Sequence, residues 1–175
     1  MKDFRLFALV GLALIIGGCM TWPNAPQAAA DLRNASGELI GKIGFWEDGG
    51  GVRLLVKAEK LSPGTHGLHL HAVGKCDPPD FTSAGGHFNP AGKQHGLASP
   101  AGAHAGDLPN LPVDSDGTGT LHYLTTLVTL GSGPTSLFDT DGTAVVIHAG
   151  PDDHRSDPTG NSGGRVACGV IDKAI

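Results

Sequence analysis

The apolar and polar positions of this chain fall into short runs of period two, cut by glycine and proline, with one long interval where no period survives. Val52 to Glu59 alternates well enough for a half-buried strand, and residues 27–34 and Glu38 to Glu47 read as two strands before it, the first at a sheet edge. Asp48-Gly49-Gly50-Gly51 supplies a turn between the second and third, and Ser62-Pro63-Gly64 turns the chain into the next strand. In Gly67-Leu68-His69-Leu70-His71, alternation sends both leucines to a core and both imidazoles to an outer face. From Gly74 to about Pro112 the pattern is lost, which predicts a long loop; loops of this size in compact domains are usually functional. Strands resume at Gly119 to Val128, Thr143 to His148 and Arg165 to Ile171. Some seven or eight short antiparallel strands without internal repeats predict an all-β sandwich or flattened barrel.

Composition agrees with that pattern. The 175 residues leave room for one domain with a real core, and Gly 28, Pro 12 and 5% aromatics favour strands and turns over long helices. The formal net charge is -5, with no basic run or aromatic-interleaved patch, which argues against nucleic acid as a partner.

The N-terminus follows a different rule. Lys2 and Arg5 flank an apolar run from Leu6 to Ile16, too short for a comfortable membrane span and typical of an export signal. Ile16-Gly17-Gly18-Cys19 resembles the lipobox of bacterial lipoproteins, which implies cleavage before Cys19, lipid on that cysteine and attachment to a membrane. The other reading is an ordinary secretory signal cut nearer Ala28-Ala29-Ala30. The expected organisation is a signal peptide over 1–18, a flexible lipidated tether over 19–30 and a folded domain over 31–175, exported to the periplasm or cell surface. If Cys19 carries lipid, Cys76 and Cys168 remain as one pair. In an oxidising compartment they would form a disulfide closing a loop of about 90 residues; the alternative is a pair of sulfur ligands to metal.

The candidate chemistry lies in His69, His71, His87, His95, His104, Asp107 and His148. A lone histidine is more often structural, but this clustering of imidazoles is the chemistry of a metal centre. His87, His95, His104 and Asp107 supply three nitrogens and one carboxylate oxygen, enough to close a tetrahedral zinc site. His69, His71 and His148 with one further imidazole give four nitrogens, which suits Cu(II). Seven ligands fill two four-coordinate sites only if one is shared, and a deprotonated imidazole can bind through both ring nitrogens. His87, which begins the loop, is the candidate, although the arithmetic does not choose it.

Gly67-Leu68-His69-Leu70-His71, Gly85-Gly86-His87-Phe88-Asn89-Pro90, His104-Ala105-Gly106-Asp107-Leu108, Val146-Ile147-His148 and the run from Gly160 to Ile171 look together like the copper/zinc superoxide dismutase family in its exported bacterial form. The resemblance runs from about residue 30 to the C-terminus. It implies a Greek-key antiparallel β-sandwich or flattened barrel, immunoglobulin-like, with long metal-binding and electrostatic loops. It implies copper on His69, His71, His87 and His148, zinc on His87, His95, His104 and Asp107, and a Cys76 to Cys168 disulfide. The implied activity is that of an oxidoreductase: superoxide, the substrate, becomes dioxygen and hydrogen peroxide by copper redox cycling, protecting the cell envelope.

Further residues carry over by motif. Asp152 matches an aspartate that accepts hydrogen bonds from His69 and His95, and Arg165 matches an arginine beside the open copper position that orients the anion. His66 matches a scaffold position, while His122 and His154 match no ligand and read as strand or surface residues. Pro158 stands where animal members have a lysine before Thr159-Gly160, leaving Lys75 and Lys93 as weak candidates for attracting the substrate. A homodimer is compatible with the resemblance, but its contacts cannot be inherited. The alternative function is a non-catalytic copper/zinc-binding or copper-handling protein of the same fold.

Overall fold

Gly67 is the residue at which the sheet closes. In the computed structural model, which describes residues 24–174, ten strands form one antiparallel sheet: β1 Ala28–Asn34, β2 Leu39–Asp48, β3 Gly51–Ala58, β4 Gly64–His66, β5 Leu68–His71, β6 Leu111–Val113, β7 Gly119–Thr125, β8 Ala144–His148, β9 Arg165–Val170 and β10 Asp172–Lys173. The neighbour order is β4-β6-β7-β3-β2-β1-β9-β8-β5, with β10 on β1. The two ends of that path, β4 and β5, are consecutive in sequence and separated only by Gly67. One stretch of chain therefore pairs with β6 through its first arm and with β8 through its second, and the sheet is a nearly closed, flattened barrel. Gly67 makes the junction with two backbone bonds, its N–H to Gly150 O at 2.7 Å and its carbonyl from His148 N–H at 2.8 Å. A Cβ here would stand 2.7 Å from Cβ of Ser162, so the close approach requires glycine.

Local chemistry explains the elements that sequence anticipates. The β2–β3 hairpin turns on Gly49 and Gly50, both at positive φ (54° and 132°), and runs in register from Asp48↔Gly51 to Gly41↔Ala58. Alternate, inward positions along the strands, among them Leu32, Ile43, Phe45, Leu54, Val56, Leu68, Leu70 and Ile147, are fully buried in one core. The crossings from β3 to β4 and from β7 to β8 give the Greek-key path, in place of simple up-and-down pairing.

Several expectations need correction. The first strand is not an edge: β1 lies between β2 and β9, and pairs with β10 as well. It begins at Ala28, and Ala28 and Ala30 are core residues, so ordered chain starts before residue 31. Trp46 Nε1 donates to Ala25 O at 3.0 Å, which fastens the segment just upstream. The expected signal peptide, Cys19 and the first part of the expected tether lie outside the described residues. Among the described residues no helix is long and apolar enough to cross a membrane.

The outer face of β5 also differs from expectation. His69 and His71 are as fully buried as the leucines between them, because the loop joining β5 to β6 folds back over them. A smaller apolar cluster of Phe81, Ala84, Ala144, Val146 and Cys168, with Cys76 against it, clamps that loop to the barrel. The Cys76–Cys168 disulfide is present, with Cα atoms 5.6 Å apart, which removes the sulfur-ligand alternative.

Candidate metal centre

The loop between β5 and β6 brings its ligands to β5 by isolated backbone pairings rather than by a continuous ladder. His71 is opposite His87 and His69 opposite Asp107. Leu70 anchors the arrangement, its N–H donating to Gly106 O at 2.9 Å and its carbonyl accepting from Phe88 N–H at 2.8 Å. Gly106 has to be glycine at this crossing, since a Cβ there would meet Leu70 O at 2.2 Å. From the other side His148, the last residue of β8, completes the group.

Two sets of four ligands result, and His87 is in both. In each of the sets His69, His71, His87, His148 and His87, His95, His104, Asp107 every residue is buried and offers one ligand atom within 4.8 Å of the others. The atoms facing the first centre are His69 Nδ1, His71 Nε2, His87 Nε2 and His148 Nε2, and each is buried without a hydrogen-bond partner. Four convergent unpaired nitrogens would be costly in a finished core, and are expected where lone pairs await a metal.

The second set has a different geometry. Asp107 Oδ1 lies 2.9 Å from His87 Nδ1, 3.0 Å from His95 Nδ1 and 3.3 Å from His104 Nδ1, and His87 Nδ1 lies 3.3 Å from His104 Nδ1. Ligands about 2.0 Å from a tetrahedral zinc stand roughly 3.3 Å apart, so these contacts fit the edges of such a tetrahedron. The other carboxylate oxygen, Asp107 Oδ2, accepts from Gly96 N–H at 2.8 Å and His104 N–H at 3.0 Å, which aims Oδ1 alone at the imidazoles.

Outer contacts hold the rings in orientation. His71 Nδ1 donates to Gly85 O at 2.9 Å and His148 Nδ1 to Gly163 O at 3.2 Å. Asp152 accepts from His69 Nε2 at 2.8 Å and from His95 Nε2 at 2.9 Å, so one carboxylate ties the two sets together. These bonds place the proton on the outer nitrogen and leave the inner one as a donor to metal. His66, on β4, supports this wall through Nδ1, which donates to His148 O at 2.7 Å.

Burial sets the electrostatics. It pulls His69 down to about 4, His148 to about 3 and His71 to about 2, so all three are neutral at pH 7 and ready to ligate. Burial pushes Asp107 upward, but hydrogen bonds from His87 and Gly96 and the neighbouring imidazoles overcome it and hold the carboxyl at about 2. Asp152 is likewise held well below the usual carboxylate range: burial opposes this, and the hydrogen bonds from His69 and His95 prevail.

Arg165 opens β9 beside this centre. Its Nη1 donates to Phe81 O at 2.5 Å and its Nη2 to Gly85 O at 2.6 Å, and its charge is felt at His71 and His148. Part of the guanidinium thus pins the loop. Lys75 and Lys93 are both exposed. His122 is an exposed residue of β7, as expected. His154 is not simply a surface residue, because its backbone N–H donates to Asp152 Oδ1 at 2.7 Å.

Four residues at the site escaped sequence reasoning. Asn110 clamps the Asp152 backbone twice, donating to its carbonyl and accepting from its N–H, both at 2.8 Å. Gly160, at φ 62°, leaves room for the Asp152 carboxylate, whose Oδ1 a Cβ would meet at 1.7 Å. Phe81 supplies both a buried anchor and a carbonyl for Arg165. Asp157 accepts from His95 N–H at 2.6 Å. Of these, Gly160 was visible in the sequence only as the start of the run from Gly160 to Ile171, without a role of its own.

Comparisons with known proteins agree with this geometry. A family model described as copper/zinc superoxide dismutase matches residues 39–171. Two proteins of Aquifex aeolicus are similar to the chain. Superoxide dismutase (Cu-Zn) 1 is 51% identical over 144 residues, covering 81% of this chain and 85% of its own. Superoxide dismutase (Cu-Zn) 2 is 50% identical over 165 residues, covering 93% and 95%. Among solved structures, that of a SOD-like protein from Bacillus subtilis superposes with a TM-score of 0.78 at 40% identity, covering 81% of this chain and 96% of that one.

Proposed function

The chain belongs to the copper/zinc superoxide dismutase family, and on that premise we propose how its residues divide the work and where it is done. The protein is a superoxide dismutase, an oxidoreductase whose cofactors are copper and zinc. Copper is held by His69, His71, His87 and His148, and zinc by His87, His95, His104 and Asp107. The observation that carries this assignment is the set of four buried, unpartnered nitrogens converging on one point.

Bound copper supplies the electron exchange by which two superoxide anions and two protons become dioxygen and hydrogen peroxide, while zinc keeps one oxidation state. The remaining steps belong to the chain. His87, held on the zinc side through Nδ1, offers Nε2 as the atom that holds a proton between half-cycles and passes it to the product. Arg165, its guanidinium oriented by Phe81 O and Gly85 O, attracts the anion and turns it toward the copper ligands. Local attraction is needed: residues 1–18 carry Lys2, Arg5 and Asp3, a net of one positive charge, so their removal takes the formal charge from -5 to -6. Steering by focused fields is behaviour for which this enzyme family is itself the standard example. Asp152 is the positioning residue for both sites.

The apolar run before Cys19 supports export, cleavage before that cysteine and a lipid anchor on it, with a tether leading into the barrel. The enzyme then works in the periplasm or at the cell surface and protects the envelope from superoxide formed outside the cytoplasm. Every proposed ligand comes from a single chain, so the reading holds for a monomer or a homodimer. The non-catalytic alternative has less support, because both ligand sets and Arg165 are complete. The test is metal content measured beside superoxide consumption. One copper and one zinc per chain are expected, with activity lost when copper is withdrawn. Full activity with zinc alone would end the reading.

A further inference from the structure

Every outer imidazole nitrogen at the metal centre but one makes a hydrogen bond. His69 and His95 use Asp152, His71 uses Gly85 O and His148 uses Gly163 O. The remaining one, His104 Nε2, faces Asp157 Oδ1 at 3.8 Å. That same oxygen accepts the backbone N–H of His95 at 2.6 Å. A single carboxylate oxygen, carried on the segment between β8 and β9, is therefore set against two of the three zinc-side histidines, which belong to the segment between β5 and β6. Asp152 reaches His95 from the same segment, through the ring rather than the backbone. The ring of His95 and its backbone are thus held by two different carboxylates five residues apart in sequence.

We propose that Asp157 is a positioning residue for zinc: its carboxylate fixes the backbone of His95 and its charge orients the ring of His104, so that the zinc ligands are aligned before the metal arrives. The effect is electrostatic as well as steric. A carboxylate opposite the outer N–H of a ligating imidazole increases the basicity of the inner nitrogen. At 3.8 Å this interaction is weaker than the direct bonds of Asp152, and it acts on a carboxylate whose side chain is 55% exposed. Asp157 should accordingly tune zinc retention without being needed for the fold. Its contacts are with His95 and His104, both of the zinc set, so the consequence is expected at that metal.

This inference rests on the zinc assignment above. The test compares the loaded wild type with Asp157→Asn and Asp157→Ala, following zinc release to a chromophoric chelator, Co(II) absorption after replacement of zinc, copper content and unfolding midpoint. The alanine variant should release zinc on the order of tenfold faster, within the range usual for losing an outer partner of a metal ligand. The asparagine variant should fall between, because its amide oxygen still accepts from His95 N–H but brings no charge to His104. The Co(II) spectrum should shift in both, with copper content unchanged. Equal zinc release from all three proteins would overturn the proposal. So would an asparagine variant identical to wild type, since the charge would then have no role, or parallel loss of both metals with a lowered unfolding midpoint, which would mean loop folding alone. A wild type that binds no zinc at His87, His95, His104 and Asp107 would instead sink the ligand assignment.

Discussion

Arg165 and His71 share one acceptor: Arg165 Nη2 and His71 Nδ1 both donate to the carbonyl oxygen of Gly85, at 2.6 and 2.9 Å. The residue proposed to meet the substrate is thereby joined, through one peptide group, to a residue proposed to hold copper. A lysine cannot fork between Phe81 O and Gly85 O as the guanidinium does. Arg165→Lys should retain part of the activity, and Arg165→Glu should lower it on the order of 100-fold or more, the scale of losing an oriented electrostatic donor. Both should still load copper. Rates measured at low salt decide the matter, and equal rates for the three proteins would remove the guiding role. Wild-type activity should also fall as ionic strength rises, through screening of the local field.

The two metal sets can be separated by substitution. His148→Ala deletes a nitrogen from the copper set alone, so copper content and activity should drop while zinc stays near one per chain. Asp152→Ala should injure both, since its carboxylate orients His69 in one set and His95 in the other. A loss of roughly 10- to 100-fold in affinity or activity is expected for such a partner. Metal analysis after dialysis against a chelator distinguishes the patterns, and selective loss of one metal in Asp152→Ala would contradict the bridging role.

Acid should destabilise the metal-free protein well before ordinary carboxylates titrate. His69, His148 and His71 are held in the fold at about 4, 3 and 2, below the ordinary histidine value of about 6.5. Between those limits the unfolded chain binds more protons than the folded one, so stability is fully present above about 6.5 and is lost as pH falls toward 4 and below. Asp107, held at about 2, below the usual carboxylate range, adds a further loss at the acid end. The unfolding midpoint of the metal-free protein should therefore decline from pH 7 to pH 4, and the metal-loaded protein should start higher and decline at least as steeply, because metal keeps the folded imidazoles free of protons and its own binding weakens in acid. A flat profile for the metal-free protein over that range would contradict neutral, buried imidazoles.

The proposed address has its own test. Cys19→Ser should abolish lipid attachment and membrane association while leaving the purified domain able to load both metals. Mass spectrometry of the mature wild type checks the anchor directly; a lipid-free chain that begins near Asp31 would contradict it.

Much of this protein is legible along the chain because period-two burial and ligand chemistry are local properties. The strand at Leu68-His69-Leu70-His71, the Gly49-Gly50 turn and the strands near 119, 144 and 165 all appear where expected. The identity of the candidate ligands is likewise a matter of residue type and spacing, and so is the pairing potential of Cys76 and Cys168 once Cys19 is set aside.

What the chain could not show by itself is which distant segments meet. β4, β6 and β10 have three, three and two residues, too few for a period to register, and they exist because neighbours in the barrel complete their hydrogen bonds. The first strand read as an edge because its partners, β2 on one side and the chain's last strands on the other, leave no mark in its own pattern. His69 and His71 read as outward and are buried, since what covers them is a loop held down by Phe81 and the disulfide. Asn110, Asp157 and Gly160 look like ordinary loop residues until closure at Gly67 brings the two long loops together. Sequence alone determined which atoms can bind metal and which strands can bury a face. The tertiary structure decided how those atoms are aimed, because orientation is set by hydrogen bonds between segments that only the closed barrel makes neighbours.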